Sequence, residues 1–148
     1  MATNIRGSAV SGADRQLIED LRSSADLAGE GDKDQKALAA AGVVVSQPEG
    51  WAVIREGTPG DAAYVLLEGA LEVVRAGKTL ATLPVGAVFG EAAVLDRALR
   101  NASVVTTTPS RLLHLHGDGL IKLLDKNAAL RAAMGGAAAR HAAPAVEK

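Results

Sequence analysis

Three residues in the second half of the chain have side chains and a spacing that suit a sugar phosphate. Gly90 has no Cβ, so the backbone there can approach a ligand closely. Glu91 follows it, and a carboxylate can accept hydrogen bonds from sugar hydroxyls. Arg100 lies nine residues after Glu91, and its guanidinium can hold two phosphate oxygens at once. Together these residues predict a site for a small ribose phosphate.

Short elements on either side must position these residues. A β-like segment ends at Phe89, an apolar helical turn begins at Glu91, and a second β-like run begins at Arg100. The first N–H groups of a helical turn have no partner inside the turn, so they suit an anion. The predicted order is therefore strand, anion-binding turn and strand.

The wider pattern resembles a known family. Residues 86–104 read GAVFGEAAVLDRALRNASV, which contains F-G-E-x-A and then R-x-A-S-V. This stretch is similar to the phosphate-binding cassette of cyclic nucleotide-binding domains, which occur in kinase regulatory subunits, catabolite activator proteins and cyclic-nucleotide-gated channels. Residues 55–69, REGTPGDAAYVLLEG, resemble the second and third strands of that family and the turn between them. The resemblance continues to about Met134.

The resemblance implies roles for the cassette residues. Glu91 would accept a hydrogen bond from the ribose 2′-hydroxyl, and Arg100 would bind the phosphate. Gly90 and Ala92 would offer backbone N–H groups, while small side chains would leave room for the sugar phosphate. The predicted ligand-binding residues are Phe89, Gly90, Glu91, Ala92, Ala93, Arg100, Asn101, Ala102 and Ser103.

Some positions leave the ligand chemistry open. Asn101 stands where the family usually has alanine, or threonine in members selective for cGMP. Its amide could contact the 2-amino group of guanine, the phosphate or nothing. Ser103 could donate its hydroxyl to the ligand or serve only the strand, and Leu99 replaces a frequent proline. We expect cAMP as the ligand ahead of cGMP.

The N-terminal part predicts two helices within residues 13–42. Leu17 and Leu21 share one face of the first helix. Asp32, with Gln35 three residues later, predicts a capping box for the second. Gly42 predicts a left-handed C-cap.

The rest of the chain predicts an α+β, mainly β fold. About eight short strands separated by turn signals indicate an eight-stranded jelly-roll β-barrel, interrupted by the cassette helix. Asn127 can cap the last helix, which we expect to stop or bend at Gly135-Gly136. The predicted organisation is a disordered N-terminus (1–12), one cyclic nucleotide-binding domain (13–134) with N-terminal helices (13–42), a β-roll (43–116) containing the cassette (89–103) and C-terminal helices (117–134), and a flexible tail (135–148).

The amino-acid composition argues against several classes of function. The 148 residues include 16 basic and 17 acidic side chains, and the net charge of −1 argues against broad binding to nucleic acid or anionic membranes. With 48% hydrophobic residues, a single domain can bury a core. No cysteine is present, and the N-terminus lacks the apolar centre of a signal peptide. We expect a cytoplasmic protein.

The predicted function is a stand-alone regulatory module that repositions its C-terminal helices when a cyclic nucleotide binds. We expect no enzyme activity and no metal, and a separate effector protein or a fused domain as the partner. The alternative is a degenerate domain of the same fold that acts only in protein interaction. His114 and His116 share a strand face and could hold a metal, although exposed strand histidines are favoured. Leu130 or Met134 are candidates to cap the base.

Overall fold

The structure is a computed structural model that describes residues 12–24, 26–27 and 31–141. Two helices, α1 (Gly12–Arg22) and α2 (Asp32–Ala41), come first. The predicted disordered N-terminus (1–12) lies outside the described residues except for Gly12, and the predicted tail (135–148) lies outside them from residue 142 onward, whereas residues 135–141 are helical. The remaining elements are β1 (Val43–Gln47), β2 (Ala52–Ile54), β3 (Ala62–Glu68), β4 (Leu71–Arg75), β5 (Lys78–Leu83), β6 (Val88–Phe89), α3 (Glu91–Leu95), β7 (Ser103–Thr106), β8 (Ser110–His116), α4 (Gly117–Asp125) and α5 (Ala128–His141).

The strands form two four-stranded antiparallel sheets. The first has the order β1-β8-β3-β6, and the second has the order β2-β7-β4-β5. Within the described residues no strand pairing joins the two sheets, so a closed barrel is not observed. The mainly β prediction is confirmed, and the architecture is two facing sheets with helices packed on the outside of the first.

The buried side chains form two clusters separated by the first sheet. Along β3, Val65 and Leu67 belong to the cluster beneath the helices, whereas Leu66 belongs to the cluster between the sheets. Successive residues of a strand point to opposite faces, so one strand serves both clusters. The helical cluster also takes leucines from α1, α2, α4 and α5. This confirms the predicted apolar face of α1, which includes Leu17 and Leu21.

α2 lies within the predicted range and ends at Gly42 as expected, but the capping predicted at each end is wrong. The N-cap residue is Gly31 with no side-chain capping bond, and the Gln35 side chain donates instead to the Leu27 carbonyl at 3.3 Å. Gly42 is extended (φ −113°, ψ 172°), because the chain passes directly into β1. Glycine is needed there for space, since a Cβ would lie 2.6 Å from Cδ1 of Leu113.

The last helix also departs from its prediction. α5 continues through Gly135-Gly136 to His141. Each glycine costs about 1 kcal/mol relative to alanine in a helix, and the alanines on both sides of the pair have the highest helix propensity. The side chain of Asn127 does not cap this helix but donates to the Leu123 carbonyl at 2.8 Å. Among the described helices, none is long and apolar enough to cross a bilayer.

Candidate functional site

A cavity of about 230 Å³ opens between α3, the segment that follows α3, and the second sheet. Every predicted ligand-binding residue except Ser103 lines it. The Ser103 hydroxyl accepts a hydrogen bond from the Glu56 N–H at 2.9 Å, outside the cavity. The residues that the structure brings together are Phe89, Gly90, Glu91, Ala92, Ala93, Arg100, Asn101 and Ala102.

The apolar wall of the cavity was missed by sequence reasoning. Its residues come from several strands that are far apart in the chain, and no motif marks them. Alternation within each strand is the signal that could have found them, because it separates inward from outward positions. The missed strand residues are Ile54, Val73, Leu83, Val88 and Val104. Three further lining residues, Asp96, Ala98 and Leu99, belong to the segment after α3.

Gly90 sits at the junction between β6 and α3. Its backbone is left-handed (φ 85°, ψ −5°), a conformation that glycine adopts without steric cost. A Cβ would also lie 2.9 Å from Cδ1 of Ile54 and 3.1 Å from Nη1 of Arg100. The turn that opens α3 therefore depends on glycine at this position.

The Arg100 guanidinium is buried and held in place by backbone carbonyls. Nη1 donates to the Gly90 carbonyl and Nη2 to the Ala62 carbonyl, both at 2.6 Å. Nη2 also lies 3.6 Å from the carboxylate of Asp61, whose side chain is exposed. A guanidinium has five N–H groups, so donors are left over for an anion in the cavity.

The turn between β2 and β3 fixes the backbone around Arg100. The Arg100 N–H donates to the Thr58 carbonyl at 2.7 Å, and the Gly57 N–H donates to the Arg100 carbonyl at 2.8 Å. Gly60 packs so closely on α3 that a Cβ would lie 2.5 Å from the carbonyl carbon of Ala93. These contacts hold both Arg100 and α3 against the β2–β3 turn.

Glu91 is buried without a hydrogen-bond partner. Its residue is 1% exposed, and neither carboxyl oxygen is paired with any atom of the described residues. Burial raises the pKa of Glu91 to about 7; its own backbone N–H opposes the shift, Asp26 adds to it, and Arg100 opposes it to a smaller extent. An unpaired buried polar group is costly, so this carboxyl indicates that a hydrogen-bond donor belongs in the cavity.

Asn101 lies at the mouth of the cavity. It is exposed, and its backbone carbonyl accepts a hydrogen bond from Nε of Arg75 at 2.9 Å. Asn101 is therefore the exposed lining residue whose amide can be tested for a role in ligand choice.

The two candidates to cap the base lie elsewhere. Leu130 and Met134 are fully buried in the helical cluster, and neither lines the cavity. Burial of both side chains explains the difference, because the apolar stripe that made them candidates packs into the core.

The two strand histidines have separate surroundings. The His114 ring packs edge-on against Tyr64, with ring centroids 5.3 Å apart. The exposed His116 accepts a hydrogen bond at Nδ1 from the Asp118 N–H at the start of α4. Within the described residues, no three His, Asp or Glu side chains are grouped as metal ligands.

Comparison with known proteins identifies the fold. Residues 44–127, more than half of the chain, match the family model of the cyclic nucleotide-binding domain. The chain belongs to the cyclic nucleotide-binding domain family. A cyclic nucleotide-binding domain is a regulatory or binding module and not a catalytic one.

Similar proteins include kinases and their regulatory subunits. The chain is 47% identical over 60 residues to a cGMP-dependent protein kinase of Caenorhabditis briggsae, covering 40% of this chain and 8% of the kinase. It is 42% identical over 77 residues to a cAMP-dependent protein kinase regulatory subunit of Yarrowia lipolytica, covering 51% of this chain and 20% of that subunit. The cyclic nucleotide-binding domain thus corresponds to only a small part of these relatives.

A solved structure with bound cAMP has the same architecture. The regulatory domain of the cAMP-dependent kinase of Toxoplasma gondii superposes with a TM-score of 0.67 at 26% identity. The match covers 76% of this chain and 45% of that one.

Proposed function

We propose that this chain is a cyclic nucleotide sensor that binds cAMP in preference to cGMP. The observation that carries the proposal is that Glu91 and Arg100 share one cavity, the first with two unpaired oxygens and the second with unused donors. A ribose hydroxyl supplies the donor that Glu91 lacks, and a cyclic phosphate supplies the acceptor for Arg100. The named ligands of the relatives, cAMP and cGMP, have both groups on one molecule.

The apolar wall supports the preference for adenine. The strand residues that face the cavity, including Val73, Leu83 and Val104, offer no side-chain hydrogen bonds. Guanine carries a carbonyl and a ring N–H as well as its amino group, whereas adenine carries only the amino group, and burying such groups without partners costs free energy. Asn101 at the mouth is the side chain positioned to recover part of that cost, so the ratio of the two affinities measures its role.

The helical cluster gives the ligand a route to the C-terminal helices. Val94 of α3 lies in the same buried cluster as Leu130 and Met134 of α5, and α5 packs against both α3 and β6. A ligand can shift a protein between two conformations only if it contacts the two differently. A nucleotide that contacts α3 in one position of the helix and not in another meets this condition. The output is then a movement of α4 and α5 that a separate effector protein or a fused domain detects.

Calorimetric titration with cAMP and with cGMP tests the proposal. The protein is first unfolded and refolded to remove any nucleotide that co-purifies with it. We expect micromolar or tighter binding of cAMP, about −8 kcal/mol. Arg100→Gln should weaken binding about a hundredfold or more, because each charge-assisted hydrogen bond contributes about 1.5–3 kcal/mol. Arg97→Gln is the matched control, since Arg97 is an exposed arginine of the same segment that does not line this cavity.

A second variant separates the charge of Arg100 from the planar geometry of its guanidinium. Arg100→Lys keeps the charge but loses the planar fork, so its affinity should fall between those of wild type and Arg100→Gln. Circular dichroism checks that each variant is folded. If the wild-type protein gives no heat and no thermal shift with either nucleotide, the proposal is overturned. The domain would then be a degenerate one that acts only in protein interaction.

A further inference from the structure

A second buried carboxylate lies beside the cassette. Asp26, in the connection between α1 and α2, is 8% exposed and accepts the Val88 N–H at 2.8 Å. In the same connection, the Ser24 hydroxyl donates to the Gly86 carbonyl. These two bonds hold the chain just before the cassette and bring the Asp26 carboxylate close enough to Glu91 to interact with it electrostatically.

Among the described groups that shift the pKa of Glu91, Arg100 is the cation, and it already interacts with other groups. Its guanidinium donates one hydrogen bond to each of two backbone carbonyls and lies near the exposed Asp61 carboxylate. In the free cavity Glu91 therefore interacts with the positive charge of Arg100, which other groups share, and slightly more strongly with the negative charge of Asp26. The titratable groups that face this region are Asp26 from the α1–α2 connection, Arg100 after α3, Asp61 and Tyr64 beside Arg100, and Asp96 at the C-terminal end of α3.

We propose that binding of a cyclic nucleotide releases a proton from Glu91, and that Asp26 is the positioning residue that determines how tightly the proton is held. This inference rests on the proposed function. The ligand-free carboxyl is buried and makes no hydrogen bond to another described residue, and burial favours its neutral form. A ribose hydroxyl that donates to it favours the ionised form, so the proton leaves as the nucleotide enters.

The direction of the pH dependence follows from these two states. In the free protein the pKa of Glu91 is raised to about 7, mainly by burial and further by Asp26. At pH 6 about nine-tenths of the free protein therefore carries the proton, and at pH 8 about one-tenth does. By linkage, the affinity should be about tenfold higher at pH 8 than at pH 6 and should level off above pH 8.

Two variants separate Glu91 from Asp26. Glu91→Gln cannot ionise, so whatever affinity it keeps should be the same at pH 6 and pH 8. Asp26→Asn retains an oxygen for the Val88 N–H and removes the negative charge, so the proton on Glu91 is held less tightly and cAMP should bind more strongly than to wild type at pH 6. Asp125→Asn is the matched control, because Asp125 is exposed on α4 and does not line the cavity, so this variant should bind cAMP like the wild type at both pH values.

The experiment is calorimetric titration with cAMP at pH 6 in MES and in bis-Tris, and at pH 8 in HEPES and in Tris, so that each pH value has two phosphate-free buffers of different ionisation enthalpy. The difference in heat between the buffers counts the protons released, which should be close to one per nucleotide at pH 6 and close to zero at pH 8. Equal affinities at the two pH values, with no dependence of the heat on the buffer, would overturn the proposal. If Asp26→Asn changes the affinity by the same factor at both pH values, its role is structural and the assignment of Asp26 is overturned.

Carboxyl ¹³C NMR titration of the ligand-free protein keeps this inference separate from the proposed function. It reads the ionisation of Glu91 whether or not any nucleotide binds. A carboxyl that titrates near the ordinary value of 4.5 would overturn the proton-release proposal even where cAMP binds. An absence of cAMP binding at both pH values would instead overturn the proposed function.

Discussion

Replacing Glu91 by glutamine should make the ligand-free protein more resistant to alkaline conditions than the wild type. The pKa of Glu91 is raised by burial from 4.5 to about 7, so the folded state holds the proton more tightly than the unfolded state does. Stability from this group is therefore highest below pH 4.5 and is lost as the pH rises toward 7. Glutamine has nearly the same shape and cannot ionise, so it carries no such loss.

The size of the effect follows from the two pKa values. With 4.5 in the unfolded state and about 7 in the folded state, ionisation of Glu91 costs roughly 1 kcal/mol at pH 5 and roughly 3 kcal/mol at pH 8. The free energy of unfolding of Glu91→Gln, relative to wild type, should thus rise by about 2–3 kcal/mol between pH 5 and pH 8. Any constant cost of burying the amide cancels in this difference.

Urea unfolding followed by circular dichroism, at pH 5 and at pH 8 in the absence of nucleotide, measures this difference. Glu49→Gln provides the control, because Glu49 is an exposed glutamate in the turn before β2 and should follow the wild type at both pH values. If the stabilities of Glu91→Gln and wild type change in parallel from pH 5 to pH 8, burial of an unpaired carboxyl is not what the fold imposes on Glu91, and the reasoning is refuted.

Two further substitutions test how the cassette is held. Gly60→Ala should lower the free energy of unfolding by about 1–3 kcal/mol and weaken cAMP binding, because the new Cβ would meet the Ala93 backbone at 2.5 Å. Gly119→Ala is the control, because its Cβ would meet nothing within 4 Å, and in α4 it should raise the free energy of unfolding by up to about 1 kcal/mol. Ser103→Ala should cost about 0.5–1.5 kcal/mol through loss of the Glu56 bond and leave cAMP affinity unchanged by calorimetry; a large loss of affinity would return Ser103 to the binding site.

Local patterns account for most of what could be predicted. The apolar face of α1, the positions of the longer strands and the turns around glycine and proline depend on residues close together in the chain, so periodicity and turn chemistry indicate them. The spacing of Glu91 and Arg100 is local in the same sense, and the cavity contains both. Family membership followed from these short motifs.

Helix ends were predicted less well, because they depend on what the chain meets next. Gly42 is extended rather than left-handed, since it must enter β1 against Leu113. Gln35 bonds to the Leu27 carbonyl of the preceding connection instead of closing a capping box. Each residue has several good local conformations, and a distant neighbour selects among them.

The sequence by itself determined the chemistry that the site can offer: a glycine where the backbone must turn, a carboxylate, and an arginine at a fixed distance along the chain. Tertiary structure alone decided which strands wall the cavity, that Ser103 faces away from it, and that Glu91 is sealed without a partner. The Asp26 carboxylate reaches Val88 across 62 positions of sequence. The reason is physical: the ionisation of a carboxyl depends on the water and charges around it, and both are set by residues that only folding brings together.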